Sequence, residues 1–248
     1  LPILFDYIFH QAAISDTTVL EQDIMLKTNV NAYESLLKIA IKHNANMIYA
    51  SSAATYGDSD RFEVGYEKPN NVYGFSKVMM DNITYEYLKK DLNISIVGLK
   101  YFNVYGPREF YKNKTASMVV QFGHQILKGL TPKLFEGSDK ILRDFIYIED
   151  VIQANIKACN AKKSGVYNVG TGMARSFEDI VNILQKELKI NNGKEYIPNP
   201  YIGQYQFFTQ ANIKTSEEFL GYKSKFEMED GIKAYIPEIK RLFKEEIK

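Results

Sequence analysis

The stretch that decides the fold runs from Asn46 to Lys77, opening NMIYASSAATYG (46–57) and closing NVYGFSK (71–77). An apolar run of strand length that ends in small polar residues reads as a buried strand. The following VYGFSKVMMDNITYEYLKKDL (72–92) has the length and pattern of a helix. Working outward, FDYIFHQAA (5–13) reads as the strand before and VLEQDIMLKTNVNAYESLLKIAIKHN (19–44) as a long amphipathic helix between them. ISIVGLKYFNVYG (94–106) follows as a further strand and loop. Strands separated by helices of this length imply crossovers and a parallel sheet covered on both faces, a Rossmann-like doubly wound α/β fold. Ligands of such sheets lie beyond the carboxyl ends of the strands. Ser51, Ser52 and the YFNVYGPR loop (101–108) fall there.

After about residue 107 the texture changes. ASMVVQFGHQILKGL (116–130) reads as a helix, and PKLFEGSDKILRDFIYIEDV (132–151) as strand, polar loop and strand. GVYNVGTG (165–172) reads as a strand entering a turn, SFEDIVNILQKELK (176–189) as a helix, and a polar tail closes the chain. The expected organisation is the remainder of a dinucleotide-binding domain over 1–107 and, over 108–248, a mainly substrate-binding α/β lobe interleaved with the sheet. A nucleotide-binding sheet opens with a strand and a glycine-rich turn whose amides meet a pyrophosphate. GVYNVGTG comes late and has the wrong spacing for that turn, so the expectation is a chain that begins inside the fold, past its first βαβ portion.

Bulk chemistry narrows the partners. Lys+Arg 31 against Asp+Glu 30 leaves no basic surplus for a nucleic acid or an anionic membrane. Cys159 is the single cysteine, which excludes an intrachain disulfide; with three scattered histidines, no zinc or thiol-catalysis set is expected. No apolar run approaches membrane-spanning length, and the first residues lack a basic, cleavable leader. A cytoplasmic enzyme is the expectation.

The chemistry rests on Tyr73 and Lys77, which a helix brings to one face. Tyr85 and Lys89 share the spacing, so spacing alone does not choose between them. The first pair starts the helix that follows the serine-bearing strand end; the second has no such neighbour and reads as an exposed helix face. Ser52 is placed to bind a substrate hydroxyl, Tyr73 to accept or return its proton, and Lys77 to stabilise the phenolate. A free phenol ionises near pH ~10, so acting near neutrality takes a fall of about 3, roughly 4 kcal/mol. An ammonium at ~4 Å with an effective dielectric of ~20 supplies ~4 kcal/mol.

SSAATYG (51–57), NVYGFSK (71–77) and YFNVYGPRE (101–109), in that order, resemble the extended short-chain dehydrogenase/reductase superfamily of nucleotide-sugar epimerases and dehydratases. The dehydratases follow the catalytic serine or threonine with an Asp-Glu pair; here Ala53 and Ala54 stand there and cannot move a proton, which favours reversible oxidation over elimination. FHQAAISDTT (9–18), REFYKNKTAS (108–117), KLFEGSDKILRDFIYIEDV (133–151) and GQYQFFTQANI (203–213) narrow the resemblance to the ADP-L-glycero-D-manno-heptose 6-epimerase family. That resemblance implies oxidation at C6 of the heptose onto bound NADP (NAD staying open) and re-reduction from the opposite face, making a lipopolysaccharide inner-core precursor. It implies a homo-oligomer too.

Residue by residue, the resemblance implies Ser52, Tyr73 and Lys77 as catalytic, with Lys112 as the second proton-transfer group. It places Gln11, Ala12, Ala13, Ile14, Ser15, Asn29, Lys77, Val104 and Lys112 by the cofactor. It places Ser52, Asn103, Lys114, Gln121, Phe135, Glu136, Gly137, Ser138, Arg143 and Tyr205 by the substrate, Arg143 as a diphosphate clamp. Blander readings stand beside these: Asn29 an exposed helix residue, Lys112 a solvated loop cation, Arg143 an ion pair with Asp144 or Glu149, Tyr205 core packing. Lys114 and Gln121 depart from the family's usual serine and histidine, which bears on the sugar contacts. Two alternatives stay open: another nucleotide-sugar epimerase or reductase, such as a UDP-hexose 4-epimerase, and a non-catalytic nucleotide-sensing protein.

Overall fold

The structure, a computed structural model, describes residues 5–199 and 207–246, the side chains of Phe110, Asn113, Lys114 and Glu246 excepted. The described residues fall into two compact units that trade segments of chain. One holds the residues up to Phe102, Val151–Val169 and Ala211–Lys223; the other holds Asn103–Asp150, 170–210 and the residues from Ser224 onward.

The first unit is built on strands β1 (Tyr7–His10), β2 (Asn46–Ser52), β3 (Ile96–Tyr101) and β7 (Gly165–Val169), paired in that order and all parallel. Between β1 and β2 the chain runs through α1 (Gln22–Met25), a π-helical segment Leu26–Asn31 and α2 (Ala32–Lys42); α3 (Val72–Leu88) links β2 to β3. Alternation along β2 turns Met47 and Tyr49 into a core shared with Tyr33 and Leu37 of α2, Met80 of α3 and Ile96 of β3. The unit also takes the part of α5 (Ile148–Ala158) from Val151 onward, and α7 (Lys214–Leu220). Asn168 of β7 ties three segments together. Its side chain donates to the carbonyls of Phe62 and Asn212 and accepts from Tyr56, and its carbonyl accepts from Ser216.

In the second unit, β4 (Asn103–Tyr105), β6 (Leu142–Tyr147) and β8 (Ala174–Ser176) form one sheet, parallel and then antiparallel. A two-stranded sheet pairs β5 (Lys133–Phe135) with β9 (Glu195–Ile197). Helices α4 (Met118–Leu127), α6 (Phe177–Leu188) and α8 (Met228–Glu246) enclose the core, with Val119, Phe122, Ile180, Leu184, Ile232 and Ile239 among its residues. Helix α6 starts on a capping box: Ser176 Oγ accepts from the Asp179 N–H, and the Asp179 carboxylate accepts from the Ser176 N–H.

Candidate active site

The first unit brings Ser52, Tyr73 and Lys77 together, and the local sequence explains how. Strand β2 ends at Ser52, and a 3-10 turn over Ala53–Thr55 follows, the Ser52 hydroxyl accepting from the Ala54 N–H at 3.1 Å. Helix α3 starts on Asn71, whose side chain accepts from the Gly74 N–H at 2.8 Å. A Cβ on Gly74 would lie 2.4 Å from the Ala54 carbonyl oxygen, so only glycine lets the first turn of α3 approach this closely. That approach delivers Tyr73, whose phenol lies beside the Ser52 side chain. One turn on, Lys77 is 2% exposed and its Nζ donates to the Ala50 carbonyl at 2.7 Å.

The electrostatics differ from the sequence expectation. Burial pushes the Tyr73 phenol up from its usual value, and the Ser52 hydrogen bond offsets part of that. The Lys77 Nζ stands 5.8 Å from the Tyr73 ring centroid and donates to the Ala50 carbonyl. Burial pushes Lys77 itself down to about 8, against an upward pull from Asp81. The second pair behaves as a surface feature. Tyr85 is 37% exposed, and Lys89 pairs with Glu86 at 2.6 Å.

The loop after β1 carries Gln11, Ala12, Ala13, Ile14 and Ser15, with Gln11, Ala12 and Ser15 exposed. Asn29 anchors it. Fully buried in the π-helical segment, Asn29 accepts from the Ile14 N–H at 2.9 Å and donates to the Ile14 carbonyl at 3.0 Å and to Ser76 at 3.0 Å. This overturns the alternative of an exposed helix residue. A π-helical turn is uncommon and recurs at functional sites; this one turns an amide inward to grip the backbone of a loop. Gln11 in turn binds Asn155 of α5 and the Tyr101 hydroxyl.

The second unit holds the remaining candidates, apart from Tyr205, which lies outside the described residues. Asn103 is exposed and Val104 half-buried, both on β4 opposite Phe145 and Ile146. Lys112 is exposed in a short 3-10 segment, Phe110–Thr115, which also contains Lys114. Phe135, Glu136, Gly137 and Ser138 form the turn leaving β5, with Gly137 at φ +77° and Ser138 buried. Arg143 is buried on β6 and donates to the Leu142 carbonyl at 3.1 Å. Gln121 donates to the Ala116 carbonyl at 2.6 Å, so this departure from the family pattern is tied to backbone.

Glu109, Lys100 and Asp81 are among the buried charged residues that escaped the sequence reading. Glu109 accepts from Gly106 N–H, Ser117 N–H and Ser117 Oγ, bracing both ends of the Lys112 segment. Lys100 and Asp81 form an ion pair at 2.6 Å behind the Tyr73–Lys77 pair. The available signal was a lysine inside the apolar run IVGLKY and an acid four residues after Lys77.

Residues 3–170 match the model of the NAD dependent epimerase/dehydratase family, and the chain belongs to it. Within that class, it is similar to the ADP-L-glycero-D-manno-heptose-6-epimerase of Helicobacter pylori at 49% identity and a TM-score of 0.85, over 96% of this chain and 74% of that one. Two others share the architecture at greater distance. The UDP-glucose 4-epimerase of Thermotoga maritima, solved with UDP-glucose, is 26% identical at a TM-score of 0.85, over 96% and 78% of the two chains. The UDP-glucuronic acid 4-epimerase of Bacillus cereus, solved with NAD, is 26% identical at a TM-score of 0.82, over 96% and 76%.

Proposed function

We propose that this protein epimerises C6 of the heptose in ADP-D-glycero-D-manno-heptose, using a bound nicotinamide dinucleotide, NADP by the family resemblance. The observation that carries the chemistry is the Tyr73 phenol beside the Ser52 side chain, with Lys77 buried one turn away. The sugar assignment is supported by 49% identity to an ADP-heptose epimerase against 26% to the two UDP-sugar epimerases.

The residues present suit such a cofactor. The Gln11–Ser15 loop offers small, exposed residues for close backbone approach and is fixed by Asn29. Lys77 adds a buried positive charge. A nicotinamide dinucleotide held there would supply reversible hydride transfer with the sugar carbon. Tyr73 accepts the proton of the sugar hydroxyl as oxidation proceeds. Ser52 donates to the same oxygen and orients it, while Lys77 favours the phenolate form of Tyr73. Reduction on the opposite face calls for a second proton-transfer group, and Lys112 is the residue the resemblance assigns.

Full-length protein incubated with ADP-D-glycero-D-manno-heptose, without added cofactor, is expected to yield the L-epimer. UDP-glucose is expected to give no product. Turnover of the UDP-sugar with none of the ADP-heptose would replace this reading with a 4-epimerase.

A further inference from the structure

Behind the Tyr73–Lys77 pair lies a buried set of charges that the chemistry above leaves unused. Lys100, near the end of β3, is fully buried. Its Nζ stands 2.6 Å from Asp81 Oδ2, 3.1 Å from Glu67 Oε1 and 2.9 Å from Thr55 Oγ1. Asp81 follows Lys77 by one turn of α3 and is 3% exposed. Both of its oxygens are held: Tyr49 donates to Oδ1 at 2.8 Å and Ser51 to Oδ2 at 2.9 Å. Thr84 then donates to the Tyr49 hydroxyl at 2.9 Å.

An ammonium buried as deeply as Lys77, with a neutral carbonyl as its hydrogen-bond partner, is costly unless a counter-charge is near. The titratable groups that bear on it are His10 from β1 and Tyr73 and Asp81 from its own helix, with Lys100 and Glu67 behind Asp81. His10 is disfavoured as a cation by burial and by Lys77, and Tyr73 is neutral until it takes part in chemistry. Asp81 is the carboxylate whose field favours the Lys77 ammonium. Lys100, Ser51 and Tyr49 hold that carboxylate in place.

We propose that Asp81 is a positioning residue: tethered by Lys100, Ser51 and Tyr49, it supplies from a fixed place the negative charge that keeps Lys77 an ammonium beside Tyr73. The proposal rests on the reading of Tyr73 and Lys77 as the working pair.

Its test is the pH profile of kcat/KM for the full-length enzyme. Loss of the Lys77 proton is expected to give the wild-type profile an alkaline limb. Asp81→Asn keeps the shape and removes the charge, so that limb is expected about one pH unit lower, with KM for the nucleotide sugar changed less than about two-fold. Asp81→Glu is expected to restore the wild-type limb. Should Asp81→Asn fail to fold because Lys100 keeps only Glu67 as its carboxylate partner, Asp81→Asn with Lys100→Met removes the pair together and carries the same expectation. A wild-type profile without an alkaline limb, or a limb unmoved in a folded variant without Asp81 charge, overturns the proposal. Tyr73→Phe measured in parallel separates the two levels. Retained turnover there would remove the working pair itself, whereas lost turnover with an unmoved limb in Asp81→Asn would remove only the role of Asp81.

Discussion

Tyr73 and Lys77 are each placed against their own solvation, and that tension makes them testable one residue at a time. Tyr73→Phe removes the proton carrier and keeps the ring, so kcat is expected to fall at least ~100-fold with nucleotide-sugar affinity retained. Tyr85→Phe, on the surface pair, is expected to leave turnover within a few-fold; steady-state assays of both variants decide whether the right pair was chosen. Lys77 carries a stability cost as well. Its folded pKa of about 8 lies below the unfolded 10.5, so below pH 8 both states hold the proton and the folded state bears the whole cost of burying it. That cost falls away as pH rises from 8 to 10.5, and stability rises with it by roughly 3 kcal/mol. Lys77→Met is therefore expected to gain about 2 kcal/mol at pH 7 after losing the bond to Ala50, and to flatten the rise. Urea melts at both ends of that range measure it. The pair was legible because helical spacing is local; Asp81 and Lys100 were not recognised as partners, because an ion pair between a helix and a strand leaves no fixed spacing in sequence.

The working geometry belongs to the junction of two elements, the end of β2 and the start of α3. Gly74 is where they touch. Gly74→Ala sets a methyl 2.4 Å from the Ala54 carbonyl oxygen, and because that atom is backbone, the helix has to retreat. The variant is expected to lose about 2 kcal/mol of stability and, because Tyr73 retreats with its helix, to lose kcat beyond what the melt predicts. Asn71→Ala removes the cap alone and is expected to cost about 1 kcal/mol. Comparing chemical melts and kcat for the two variants separates the contact from the cap. At this scale the sequence was informative for long periodic segments and poor for short or unpunctuated ones. β1, β2, β3, α3, α4 and α6 lie where apolar periodicity placed them. Helix α5 was missed because β6 runs into it from Tyr147 to Ile148 with no glycine or proline between. β8 and β9 are three residues each, too short to show a period. The π-helical turn that buries Asn29 has no signature in an apolar pattern, so its grip on Ile14 emerges only in three dimensions.

Across the whole molecule, the features that place the site also set how the fold responds to acid. His10 ends β1, stacks on Tyr33 with ring centroids 6.0 Å apart, and is 8% exposed. Burial, and after it the Lys77 charge, pushes its pKa below the ordinary value of 6.5. The unfolded chain therefore takes up a proton before the folded one does. Stability is full above pH 6.5 and drops as pH falls from there toward the folded pKa, by at most ~1.4 kcal/mol per pH unit. The carboxylates around Arg175 act at lower pH. Burial raises Asp179, but the Ser176 and Arg175 hydrogen bonds outweigh it, and the Arg175 hydrogen bond lowers Glu229. Their contribution is lost only as pH falls below the usual carboxylate range, near ~4. His10→Phe keeps the stack on Tyr33 and removes the titration, so its melting temperature is expected to hold as pH falls below 6.5, where the wild type declines. Below ~4 the two proteins are expected to decline together. Hydrogen exchange at the β1 and β2 amides is expected to show the protection lost by wild type in the upper window and kept by the variant. Equal slopes there would mean that His10 is not what makes this fold acid-sensitive.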